Sequence, residues 1–170
     1  MTIGTKGVLE PPRRRRPGFE VIATAAVLAV QLAALVYVAV QNRFNLNPDA
    51  IAYLQVARHI AEGKLDLAVN GYWGPLLSWI MAPLLAAGID PLVTARSAMV
   101  VSAMIFLAGA MSLFRSVGLR RLPFLAISLL TALISLAWSV EAITPDLLAG
   151  GLLLFACSRT FAAEWPESRS

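Results

Sequence analysis

The chain has 170 residues, of which 58% are hydrophobic and only 14% charged, far more apolar than a soluble domain that must cover itself with polar surface. Its net charge of +4 owes most to one block, Arg13 to Arg16, just ahead of the first apolar stretch. That block has no interleaved aromatics and no wider basic face, so it reads as the cytoplasmic flank of a membrane span and not as a nucleic-acid surface. One cysteine, Cys157, and one histidine, His59, leave no disulfide framework and no Cys/His metal site.

Residues 21–40 are apolar except for Thr24 and Gln31. About 20 apolar residues cross a bilayer, whereas a signal-peptide core is about 7 to 15 long and precedes a small-residue cleavage site. Tyr37 to Gln41 offers no such site. The expectation is an uncleaved span with residues 1–18 as a basic cytoplasmic tail. Gln31, near its middle, serves either a helix-packing hydrogen bond or function.

Asn47-Pro48-Asp49 and Thr144-Pro145-Asp146 each place a capping residue, a proline and a carboxylate at the edge of an apolar stretch, so both predict helix starts with an acid in the first turn. From Pro48 to Glu62, Tyr53, Val56, Ala57 and Ile60 share one helix face with Asp49 a turn upstream. Gln55, Arg58 and Glu62 share another, and Gly63 is a natural stop. This helix lies along the membrane surface or packs on the spans.

Residues 67–89 carry no charge yet are broken by Asn70, Gly71, Gly74, Pro75 and Pro83. If this stretch crossed, Arg115, Arg120 and Arg121 would face outside, against the positive-inside bias. Left in the interface, it puts those arginines inside and returns the Glu141 to Asp146 loop to the side of Asp49. The predicted fold is therefore an all-α integral membrane domain over 19–163, with its N-terminus cytoplasmic. It has about four transmembrane helices (20–40, 92–115, 121–140, 143–162) and two interfacial or re-entrant helices in the first external loop (48–62, 74–88). A polar tail, 164–170, follows. The uncharged core of the fourth span, 147–158, is only about 18 Å long against a bilayer core of about 30 Å, so Asp146 sits near the boundary and Arg159 snorkels.

The order of a basic tail, one span, Asn47-Pro48-Asp49-Ala50-Ile51-Ala52-Tyr53, then Asn70-Gly71-Tyr72-Trp73-Gly74-Pro75-Leu76, Gly88-Ile89-Asp90-Pro91 and Thr144-Pro145-Asp146-Leu147 resembles the N-terminal part of the type C membrane glycosyltransferases. These include protein O-mannosyltransferases and lipid A aminoarabinose transferases. The resemblance covers about residues 20–162. It implies a donor that is a polyprenyl-phosphate-linked sugar and an acceptor hydroxyl on the external face. It also implies a catalytic acid in the first external loop, here Asp49, and a second acidic position between the third and fourth spans, here Glu141 or Asp146. The chain is shorter than such enzymes, so the expectation is a module of a longer enzyme, a short homologue that needs a membrane partner, or an inactive relic.

A sugar on a polyprenyl phosphate is already activated, and the enzyme must deprotonate the acceptor and stabilise charge on the departing phosphate. Asp49 is the candidate base, with the helix-dipole partner as its plain structural role. Arg58 and Arg96 are candidates for the phosphate, although Arg58 could equally pair with Glu62. Tyr53, Tyr72 and Trp73 are candidate sugar or acceptor contacts. Glu141 and Asp146 could hold a divalent cation, Mg or Mn, through oxygen ligands. His59 is either a second proton carrier or a surface residue. Two other classes stay open. A non-catalytic subunit would pack small-residue faces such as Ala98 and Ser102, or Ala149 and Gly150, on a partner. A transporter would need polar groups midway along several spans.

Overall fold

The computed structural model describes residues 18–69 and 71–164, so the basic and polar tails fall almost wholly outside the described residues. The chain forms α1 (Phe19–Gln41), α2 (Pro48–Ala61), α3 (Leu65–Ala68), α4 (Leu76–Ala86), α5 (Pro91–Ser116), α6 (Arg121–Glu141) and α7 (Asp146–Glu164), with no strand among the described residues. Three helices are long and apolar enough to cross a membrane, Val21–Gln41, Pro91–Ser116 and Arg121–Glu141, which is compatible with an integral membrane protein. The stretch 67–89 is broken ahead of α4, as Gly71, Gly74 and Pro75 predict, but not at Pro83, which lies inside that helix. The longest helix of the stretch, α4, has 11 residues, about 17 Å at helical rise and roughly half of a hydrocarbon core. The four-residue α3 was not foreseen, because Leu65 to Ala68 is too short to show a period.

Long-range contacts fix the directions of the four long helices. At one end, Arg96 near the start of α5 reaches the Asn45 carbonyl just after α1. At the other, Arg115 near the end of α5 reaches the Thr24 hydroxyl near the start of α1. Those two helices are antiparallel. α7 runs parallel to α5, since Gly151 meets Phe106 and Gly109 while Ser112 Oγ donates to Ser158 Oγ at 3.0 Å. α6, which lies between them in the chain, runs antiparallel to both and packs on α1 and α5. The loops holding Asp49, Asp90, Glu141 and Asp146 therefore share one end of the bundle. The opposite end carries Arg115, Arg120, Arg121 and Arg159, and no acid whose side chain is described.

Small and polar residues set how closely the helices approach. On α6, Phe124, Ser128, Ala132, Ser135 and Ser139 form the buried stripe, at the spacing of one helix face. Gln31 of α1 donates to the Ala132 carbonyl at 3.0 Å and to Ser135 Oγ at 3.1 Å, so its polar group is satisfied by packing. Ala98 and Ser102 are fully buried within this chain. The α5/α7 crossing is the tightest. A Cβ added at Gly151 would lie 2.7 Å from Phe106 N and 2.8 Å from Phe106 Cα, both backbone atoms that cannot swing away. Gly151→Ala is therefore expected to cost about 1 to 3 kcal/mol by overpacking, lowering the midpoint of thermal unfolding in detergent by roughly 3 to 10 °C. Ala149→Leu, at an exposed position on the same helix, should leave it unchanged.

α2 buries Ala50, Tyr53, Leu54, Val56 and Ala57. This is the expected face widened by Ala50 and Leu54, and it packs chiefly on α4 and touches α5. Ser78 of α4 donates to the Tyr53 carbonyl at 2.9 Å. Gly63 ends the helix with φ +73°, while the Gly63 and Lys64 amides donate to Ile60 and His59 carbonyls, as a left-handed cap requires.

Candidate site at the acidic end

Asn47 occupies the cap position of α2 but makes no side-chain cap bond. Its amide instead reaches across the bundle. Oδ1 accepts from Ile143 N at 2.9 Å, and Nδ2 donates to the Ile143 carbonyl at a longer 3.5 Å. One side chain thus satisfies both backbone groups of the residue before Thr144-Pro145-Asp146. Asn47 and Ile143 are 96 positions apart, and their bond clamps the two proline motifs side by side. Sequence reasoning assigned Asn47 a local role, and nothing in its spacing announced the distant one.

Asp49 is half-buried in the first turn of α2 and Asp146 is exposed in the first turn of α7. Both carboxylates act on Tyr53, a residue 6% exposed. Burial first, then the negative charges of Asp49 and Asp146, push its pKa above the ordinary 10.0, because each disfavours the phenolate. The folded value lies above the unfolded one, so this contribution to stability is full below about pH 10 and is lost as pH rises through the raised value. An ultraviolet titration should show one phenolate forming late, and Tyr53→Phe should remove that step. A titration unchanged by Tyr53→Phe in its last step would contradict the placement.

The three expected aromatic contacts do come together. Trp73 meets Tyr53 edge to face at 5.3 Å and Tyr72 at 4.7 Å between ring centroids, the geometry that ring quadrupoles favour. Tyr72 is 83% exposed, so this cluster runs from the core beside Tyr53 out to the surface.

The two expected arginines have different surroundings. Arg96 is 4% exposed, and its fork donates to the Ser139 carbonyl at 2.8 Å, the Val140 carbonyl at 3.3 Å and the Asn45 carbonyl. Its charge rests against the C-terminus of α6, where unpaired carbonyls concentrate about half a negative charge. That makes Arg96 the tie between α1, α5 and α6 beneath the clamp. Arg58 is exposed, and Glu62 pairs with Lys64 at 2.7 Å and not with it. It stands between two open grooves. One, of about 490 Å³, is shared with Gln55, His59, Glu62, Pro91 and Leu92; the other, of about 330 Å³, is shared with Gly88 and Asp90. Among the described residues Arg58 makes no hydrogen bond or ion pair, and it lines both grooves together with Glu62. His59 is half-buried with Nδ1 unpartnered, more enclosed than a surface histidine.

Glu141 is exposed at the end of α6. No three His, Cys, Asp or Glu side chains gather among the described residues. The α6/α7 loop is braced instead by Trp138 Nε1 donating to Thr144 Oγ1 at 3.2 Å. Asp90, not singled out as a site residue, is a genuine cap: its Oδ1 accepts from Leu92 N and Val93 N at 2.8 and 3.2 Å. No known protein family, curated protein or solved structure matches this chain.

Proposed function

We propose that this chain is the acid-bearing module of a membrane glycosyltransferase that moves a sugar from a polyprenyl phosphate to an acceptor hydroxyl at the external face. The observation that carries the reading is the Asn47 clamp, which sets Asp49 and Asp146 at one end of the bundle beside the Tyr53, Trp73 and Tyr72 cluster. The resemblance of the motif order to the type C enzymes supports it. In this reading α1, α5, α6 and α7 cross the bilayer, α2 and α4 lie at the external interface, and the arginine-rich end is cytoplasmic, as the positive-inside bias requires. A bacterial inner membrane suits this arrangement.

The reaction follows from what these groups can do. Asp49 accepts the proton of the acceptor hydroxyl as its oxygen forms a bond to the anomeric carbon. The bond from that carbon to the phosphate oxygen breaks, and polyprenyl phosphate leaves with the electron pair. Arg58 donates to the departing phosphate, while Tyr72 and Trp73 offer ring faces to the sugar. Asp146 is the second acid, and Arg96 positions the loop that carries Asp49.

The topology on which this rests is tested with single cysteines in a Cys157→Ala background, labelled by a membrane-impermeant reagent. Phe44, Val69 and Glu141 positions, all exposed, should label from outside; Val117 and Leu122, exposed at the other end, should label only after permeabilisation. Labelling of the Glu141 position from the cytoplasmic side alone would overturn it, since the two acids would then flank the membrane.

A further inference from the structure

The arginine-rich end of the bundle, opposite Asp49 and Arg58, carries a cleft that the proposed chemistry does not use. It opens between α5 and α7 with a volume of about 350 Å³, walled by Ser112, Arg115 and Ser116 on one helix and by Ser158, Arg159 and Ala162 on the other. The two helices are in closest contact at Gly109, where an added Cβ would lie 2.5 Å from the Gly151 carbonyl oxygen. One to two turns further along, glycines give way to serines and arginines, and the cleft begins. Its hydroxyl protons are already used: Ser112 Oγ donates to Ser158 Oγ at 3.0 Å, and Ser158 and Ser116 donate to the Phe155 and Leu113 carbonyls, each at 2.8 Å. Donors for an incoming group must therefore come from the two guanidiniums. Arg115 commits one terminal nitrogen to the Thr24 hydroxyl and lies 5.7 Å over the Phe124 ring, which leaves its other N–H groups. Arg159 is exposed and makes no hydrogen bond or ion pair among the described residues. No carboxylate lines the cleft among those residues either. Within two turns of Arg159, α7 also exposes Leu153 and Phe161, apolar surface that acyl chains can cover.

We infer that this cleft binds the anionic headgroup of a bulk membrane phospholipid, whose phosphodiester bridges Arg115 and Arg159 and ties the end of α7 to α5. Guanidinium forks suit the paired oxygens of a phosphodiester, and basic pockets between helices at a membrane boundary select anionic heads over zwitterionic ones. The lipid is a structural ligand and takes no part in sugar transfer. Which leaflet it occupies rests on the proposed topology; the cleft and its two cations do not.

The full chain, purified in a non-ionic detergent, is read by native mass spectrometry and by its unfolding midpoint, with phosphatidylglycerol, phosphatidylcholine or inorganic phosphate added. Phosphatidylglycerol should be retained in preference to phosphatidylcholine and should raise the midpoint, as a ligand of the folded state does. Arg159→Gln should weaken phosphatidylglycerol about tenfold and remove that rise, leaving phosphatidylcholine unchanged. Ala162→Glu, which puts a carboxylate into the cleft three residues from Arg159, should do the same with both arginines in place. Arg120→Gln, exposed at the same end but outside the cleft, should change nothing. Equal retention of the two lipids, or a loss in Arg120→Gln as large as in Arg159→Gln, would overturn the inference in favour of a diffuse positive surface. Displacement of phosphatidylglycerol by millimolar phosphate would overturn it in favour of a soluble anion. Sugar transfer enters none of these readouts, so the transferase reading can fail while the cleft stands, and the reverse.

Discussion

Asp49→Asn is expected to lower turnover of a polyprenyl-phosphate sugar by about 10² to 10⁴, the range for losing a general base, while leaving the fold in place. Asparagine keeps the size of the side chain but has no basic oxygen. The stability cost should stay near the 0.3 to 1 kcal/mol of an acid at a helix N-terminus, because the clamp that orders this loop belongs to Asn47 and not to Asp49. Donor binding should be retained, since the phosphate partners lie elsewhere. Two assays on the same preparation check this: release of polyprenyl phosphate, and the unfolding midpoint. A turnover near that of the wild type would remove Asp49 from the chemistry.

Arg96→Met should have the largest effect on stability. The substitution keeps a long, flexible apolar stem but strands the carbonyls of Ser139, Val140 and Asn45. The Ser139 bond is buried and the Val140 and Asn45 bonds are partly so; a buried carbonyl left without a donor costs about 1 to 3 kcal/mol, and removal of the buried charge recovers part of that. A net loss of about 3 kcal/mol is expected, together with faster amide hydrogen exchange at Asn45 to Asn47 and at Ile143. Arg96→Lys should lie between, because an ammonium lacks the fork. Unchanged exchange at Ile143 in Arg96→Met would show that the clamp does not depend on this tie.

What was legible in the sequence was local. Apolar runs gave the long helices to within a few residues, and Gly63 and the prolines gave their ends, because these are properties of neighbouring residues. The break at 67–89 was readable from Gly71, Gly74 and Pro75, which precede α4, whereas Pro83, also expected to break the stretch, lies inside that helix. The aromatic cluster was half readable: Tyr72 and Trp73 are adjacent, but their contact with Tyr53 depends on α4 folding back on α2. Long-range partners were not readable. Arg96 has the chemistry of a phosphate ligand, and only the arrival of the α6 C-terminus reveals that its donors face carbonyls. Arg58 could be paired with Glu62 by spacing alone, yet Lys64, two residues from that acid, reaches it at the helix end.

The proposal is tested most directly by following a radiolabelled polyprenyl-phosphate sugar in liposomes holding the full chain, with a cell-envelope fraction as acceptor. The expected result is loss of label from the lipid with the wild type and at least hundredfold slower loss with Asp49→Asn. Label that stays on a bound donor with the wild type, or leaves it equally fast with Asp49→Asn, would contradict a transferase built around that acid.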